Sequence, residues 1–220
     1  MKFATSFTEE NYLKAIFHLS PEETVAVNTN AIADALKTKA ASVTDMLKKL
    51  SDKNLINYVK YQGVTLTDKG RQTALQIIRK HRLWEVFLVE KLNFKWDEVH
   101  DLAEDLEHIN SAKLINSLEA FLGFPKFDPH GDPIPDIDGV LKEPALVTIS
   151  KMQINQKGII SGVREHTSVF LNYLEKTGLV LGKKILVKET IEFDGSVIIE
   201  IDNKLQTISR EVAKNLLTAL

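Results

Sequence analysis

The sequence predicts an α+β multidomain chain: an N-terminal winged helix-turn-helix, a helical middle, and a C-terminal small β-barrel. Three observations predict it. The first third reads as helix, short helix, turn, helix and hairpin. The charge then reverses: between residues 28 and 80 there are ten basic residues against four acidic, and between 81 and 138 five basic against thirteen acidic. After Pro144 the texture changes to short β-rich runs separated by turns. The segments are 1–74, 75–140 and 145–220.

Taken in order, Thr8 to Leu19 is a helix with Tyr12, Ile16 and Leu19 at helical spacing and Thr8 as N-cap. Asn30 caps a short helix through Leu36, carried by Ile32, Ala33 and Leu36. Lys37-Thr-Lys-Ala is a tight polar connection. A third helix, Ala41 to Lys53, buries Val43, Met46, Leu47 and Leu50. Two β-rich runs, from Leu55 to Tyr61 and from Val64 to Thr67, flank Gln62-Gly63 as a hairpin. This order is that of a winged helix-turn-helix, whose second helix of the pair enters a major groove while the hairpin touches backbone. The exposed face of the third helix carries Lys39, Ser42, Thr44, Asp45, Lys48 and Lys49; an ordinary solvated lysine face is the bland alternative.

Two long helices follow, Asp68 to Lys91 and Trp96 to Leu122. On the second, Leu106, Ile109, Leu114, Ile115, Leu118, Phe121 and Leu122 exceed what one buried face requires, which points to a homodimer contact. Gly123 to Gly139, rich in Pro, Gly and Asp, is a loop. Strands are expected at Val147–Ile149, Gly158–Val163, Lys184–Glu189, Ser196–Ile201 and Leu205–Ile208. Asp194-Gly195 is a hairpin turn, and Thr167–Thr177 is a helix stopped by Gly178.

The absence of cysteine excludes disulfides and thiolate metal sites. No apolar run reaches the roughly 18 residues of a membrane span, and the start of the chain lacks the apolar core of a secretory signal. A cytoplasmic protein with no membrane association is expected.

If the second long helix is continuous, His100, Glu104, Glu107 and His108 stand at i, i+4, i+7 and i+8 on one stripe. His81 and Glu85 form a second i, i+4 pair upstream. Imidazole and carboxylate donors suit manganese, ferrous iron or zinc. The bland alternatives are a solvated acidic face for the stripe and a helix ion pair for His81 and Glu85. His18 and His130 are expected to be surface histidines. A metalloenzyme is the rival class, but Glu104 stands where an inverse zinc motif needs histidine. A di-iron bundle needs two Glu-x-x-His helices, and only Asp105-Leu-Glu107-His108 approaches one. A metal-independent winged-helix regulator is the other alternative.

Glu10-Asn-Tyr-Leu-Lys-Ala-Ile, Arg79-Lys-His-Arg-Leu, Val99-His100 with Glu104-Asp-Leu-Glu107-His108, and Gly131-Asp-Pro-Ile-Pro together resemble the diphtheria toxin repressor and manganese transport regulator family. The resemblance covers nearly the whole chain and is strongest from Thr8 to Pro135. It implies a dimeric, metal-activated repressor of metal-homeostasis genes on palindromic double-stranded DNA, with an SH3-like C-terminal domain. It implies a primary site of Asn11, Glu104, Glu107 and His108. It also implies an ancillary site of His81, Glu85 and His100, completed by Glu165 or His166. Lys39, Ala41, Ser42 and Asp45 match base-facing positions, and Thr44, Lys48, Lys60, Tyr61 and Gln62 backbone-contacting ones. Iron-type members carry cysteine where this chain has Glu104, and manganese-type members an acid. Manganese-type members also carry acids at Asn11 and Lys14. The implied cofactor is Mn2+ or Fe2+, with Zn2+ able to bind in vitro. Lys14, protonated, cannot ligate and would repel a second cation.

Overall fold

The computed structural model describes residues 5–20, 25–60 and 62–220. Tyr61, expected at the DNA backbone, lies outside them. The chain divides into two compact units. One comprises Met1–His81, Glu104–Ser117 and Pro135–Leu141; the other comprises Arg82–Ala103, Leu118–Ile134 and Lys142–Leu220.

The first unit contains α1 (Phe7–Leu19), α2 (Thr29–Ala35), α3 (Ala40–Asp52), β1 (Ile56–Val59) and β2 (Gly63–Leu66). This is the expected winged helix-turn-helix, with earlier starts to its helices. Ser6, not Thr8, caps α1: its side chain accepts from the Glu9 N–H, and the Glu9 carboxylate accepts from the Ser6 N–H in return. Only the Ser6 frame places an acid at the third helical position, which completes the reciprocal capping box. Asn28, not Asn30, caps α2 through a 2.8 Å bond from the Ala31 N–H. The wing is antiparallel, running from Ile56 opposite Leu66 to Val59 opposite Gly63, and Val27 bridges to Val64 beside it. Leu13, Ile16, Ile32, Val43, Leu47, Leu50 and Val64 fill the core. Each contributes roughly 1.5–3 kcal/mol through burial.

An ion pair ties α1 to α3. The Glu9 carboxylate is fully buried and lies 2.7 Å from Lys53 Nζ and 3.1 Å from Lys49 Nζ. Burial raises its pKa, but bonds from Lys53, the Ser6 N–H and Lys49 outweigh it and hold the group at about 2, below its ordinary 4.5. A carboxyl depressed on folding stabilises the fold fully above its unfolded pKa and loses that contribution as pH falls through the folded one. Glu9→Gln should therefore cost about 1–3 kcal/mol at neutral pH. Urea unfolding of the two proteins should diverge at pH 7 and converge as pH falls from 4.5 toward 2. An unchanging gap across that range would contradict the assignment.

α4 (Asp68–Leu92) begins in the first unit and ends in the second. The expected helix from Trp96 to Leu122 is two helices, α5 (Val99–Leu106) and α6 (Ala112–Phe121). Ser111 is the reason for the break: its hydroxyl accepts from the Leu114 N–H as an N-cap, and an N-cap residue is not helical itself.

The second unit carries a six-stranded antiparallel sheet of order β3-β8-β4-β5-β6-β7. Its strands are β3 (Val147–Thr148), β4 (Lys157–Val163), β5 (Lys184–Thr190), β6 (Val197–Ile201), β7 (Lys204–Ile208) and β8 (Leu216–Ala219). α7 (Ser168–Thr177) ends at Gly178 in the left-handed conformation. The core is Ile160, Val163, Leu171, Leu174, Val187, Ile199 and Leu216. A second helix, α8 (Arg210–Asn215), and the strand β8 after it depart from the expected single inserted helix. Strand β8 is only four residues long and pairs with β3 and β4, which are distant in sequence. Its own residues carry no alternation long enough to announce it. Among the described residues, no helix is long and apolar enough to cross a membrane.

Candidate metal centre

The α5 helix stops at Leu106, so Glu107 and His108 stand in the turn after it rather than on its face. The expected four-residue helical stripe is therefore a helix end plus a turn. The turn aims Glu107 inward: its carboxylate is fully buried, whereas the Glu104 carboxylate is half-exposed. The Lys14 ammonium of α1 donates to Glu107 Oε1 at 2.7 Å, Glu107 Oε2 at 2.9 Å and Glu104 Oε1 at 3.1 Å. His81 Nδ1 is 2.6 Å from Glu107 Oε2; because an ionised carboxylate only accepts, Nδ1 carries the proton.

His108 is held from the other side. Its Nδ1 lies 2.8 Å from Glu10 Oε2, and the Phe7 ring stacks on it at 4.5 Å. That leaves Nε2 as the nitrogen facing Glu107, at 3.9 Å. A carboxylate that fixes the far nitrogen of an imidazole is a common support for a metal-binding histidine. Glu10 is thus a partner of His108 that periodicity and spacing do not reveal. Asn11, beside Glu10 on α1, has a buried Oδ1 with no hydrogen-bond partner.

Burial works to raise the Glu107 carboxyl, but the His81 hydrogen bond and the charges of Lys14 and His81 outweigh it and hold the pKa below the usual value. Lys80 beside them is lowered by burial, with Glu10 and Glu107 opposing. An orphaned amide oxygen, two carboxylates and an oriented imidazole form a hard oxygen and nitrogen set. That set fits a divalent cation of the manganese or ferrous iron kind.

The second unit holds another group of donors. His100 Nδ1 and His130 Nδ1 lie 3.6 and 3.7 Å from Glu85 Oε1, and Glu85, Asp128 and His130 offer ligand atoms all within 4.8 Å of one another. His130 is buried, not at the surface as its sequence context suggests. Its Nε2 is 2.7 Å from the Trp96 carbonyl, and its ring stacks on His166 at 5.0 Å. Burial lowers His130, but the bond and charge of Glu85 together with Asp128 overcome it and raise the group to about 9. Asp128 is pushed up to about 7 by burial and by the Glu85 and Asp132 carboxylates. His166 Nε2 is 3.7 Å from Asp132, and burial lowers its pKa. Glu165 accepts from the Thr167 N–H at 3.0 Å.

On α3 and at its start, Lys39, Ala41, Ser42, Asp45, Lys48 and Lys49 are exposed, and Thr44 is half-buried. Lys48 pairs with Asp45 at 3.2 Å, and Thr44 donates to the Ala40 carbonyl. Lys60 and Gln62 of the wing are exposed. Lys49 is shared with Glu9, a link that the sequence pattern does not reveal.

Three family models match the chain. Residues 4–64 match the iron dependent repressor N-terminal DNA binding domain, and 67–136 the iron dependent repressor metal binding and dimerisation domain. Residues 147–219 match the FeoA domain. The chain is 29% identical over 218 residues to the iron-dependent repressor IdeR of Mycobacterium tuberculosis, covering 94% of each protein. It is 31% identical over 147 residues to the HTH-type transcriptional regulator MntR of Oceanobacillus iheyensis, covering 67% of this chain and 93% of that one. A probable metal transport system membrane protein of Chlamydia trachomatis shares 33% identity over 138 residues, and there the match spans 30% of the relative's length. A solved structure described as a manganese-dependent transcriptional repressor in complex with manganese superposes with a TM-score of 0.87 at 33% identity, over 96% of this chain and 99% of that one. These matches remove the metalloenzyme alternative, because the family consists of DNA-binding repressors. The chain belongs to the family of metal-dependent transcriptional repressors that includes the diphtheria toxin, IdeR and MntR regulators.

Proposed function

We propose that this protein is a cytoplasmic homodimeric repressor that senses manganese or ferrous iron and binds palindromic DNA to control metal-homeostasis genes. Residues 1–74 read the DNA, 75–140 bind metal and dimerise, and 145–220 form the SH3-like domain. The observation that carries this reading is the convergence of α1 with the Glu104–His108 segment around buried Glu107, within the unit that also contains α3. Asn11, Glu104, Glu107 and His108 would hold the primary cation, with Glu10 orienting His108 and His81 steadying Glu107. Glu85, His100 and His130 are the ancillary donors, with Asp128 and His166 beside them and His81 one turn before Glu85 on α4. A bound cation supplies positive charge that joins these segments. The Glu9 pairs to Lys49 and Lys53 connect the same helix, α1, to the recognition helix. Metal would then favour the DNA-competent arrangement over the free one.

At the DNA, Lys39, Ala41, Ser42 and Asp45 would face bases, while Thr44, Lys48, Lys60 and Gln62 would lie along the backbone. Exposed apolar residues of α5 and α6, including Leu102, Leu114 and Phe121, would supply the dimer contact. The test is a mobility-shift titration on a palindromic promoter site with Mn2+, Fe2+, Zn2+ or chelator. Metal should tighten binding; equal affinity in chelator and in every metal would end the sensor reading. Glu104→Ala should abolish the metal response while leaving unfolding nearly unchanged, because its carboxylate is half in solvent.

A further inference from the structure

We propose that Lys14 is a tethered counter-cation that occupies the Glu104–Glu107 carboxylate pair in the metal-free protein and must be displaced for metal to load there. This rests on the metal-sensor reading above. The Lys14 ammonium has three N–H donors, and the structure gives it three short acceptors, two on Glu107 and one on Glu104. Its side chain is largely buried, and the Glu107 carboxylate is wholly so. A buried carboxylate without a cation is costly, so the lysine neutralises Glu107 when no metal does.

An ammonium this close to both carboxylates leaves no room for a divalent ion on the same oxygens, and its charge repels one nearby. Loading therefore exchanges one cation for another. The lysine must swing out, and the free energy of its contacts is subtracted from that of metal binding. One consequence follows: the threshold of the site is set higher than the ligand set alone would give. Lys14 is in this sense a residue that determines the sensitivity of the sensor.

Titration calorimetry with Mn2+ alone, on the full chain, tests this, together with thermal unfolding with and without Mn2+. Lys14→Met and Lys14→Gln both remove the charge at similar length. Each should bind Mn2+ at least ~10-fold more tightly than wild type. Each should also unfold at a lower temperature than wild type without metal, and show a larger gain in melting temperature on adding Mn2+. Lys14→Arg, which keeps the charge, should stay close to wild-type affinity. Wild-type binding with unchanged or weaker affinity in the charge-removing variants would overturn the counter-cation while leaving the sensor reading in place. No Mn2+ binding by folded wild type and folded variants would overturn both.

Discussion

Glu107→Ala should remove Mn2+ binding by at least ~100-fold and, unlike Glu104→Ala, also destabilise the metal-free protein by about 3–5 kcal/mol. Glu107 is the buried centre of the proposed site: its two oxygens receive Lys14 and His81. Truncating it leaves a mostly buried ammonium with only the half-exposed Glu104 carboxylate, and a buried imidazole N–H without its acceptor. Loss of one partner from a buried ionic network costs more than the network contributes when whole, because the remaining charge stays desolvated. Calorimetry should report no saturable Mn2+ binding, and urea unfolding should report the stability loss. A variant as stable as wild type would mean that Lys14 and His81 find other partners and that Glu107 is not the centre.

Gly131→Ala should destabilise the second unit by about 2–4 kcal/mol. Gly131 has φ +89, and a Cβ there would stand 2.1 Å from the Ser161 carbonyl oxygen and 2.5 Å from Gly162 Cα. Both obstacles are backbone of β4, so neither can rotate away. The loop is pinned on both sides of Gly131: the Val163 N–H donates to the His130 carbonyl, and Asp128 Oδ1 accepts from the N–H groups of His130 and Asp132. Lifting the loop off β4 would break the first of these bonds and carry His130 away from Glu85. Thermal unfolding should show a drop of several degrees, and the Val163 amide should lose hydrogen-exchange protection. Unchanged protection at Val163 would show that the loop absorbs the methyl group elsewhere.

The winged helix was legible because each of its elements carries its own signal: apolar spacing on α1 and α3, polar capping residues, and a glycine between two β-rich runs. The ligand candidates were legible for a related reason, since His100, Glu104, Glu107 and His108 crowd one short stretch. What the stretch would become was not. A continuous helix and a helix with a turn share the same apolar periodicity over Leu106 to Leu118, and the Ser111 cap decides between them.

The sequence by itself determined the order of elements, the charge reversal along the chain, and the oxygen and nitrogen character of any metal site. Only the tertiary structure decided that Lys14 sits on the carboxylates, that Glu10 orients His108, and that His130 is buried beside Glu85. The physical reason is distance along the chain. Glu10 and His108 are 98 residues apart, and Lys14 and Glu107 are 93. Local propensity and spacing report on neighbours within a few turns, whereas burial and ionic partnership are properties of what the fold brings together.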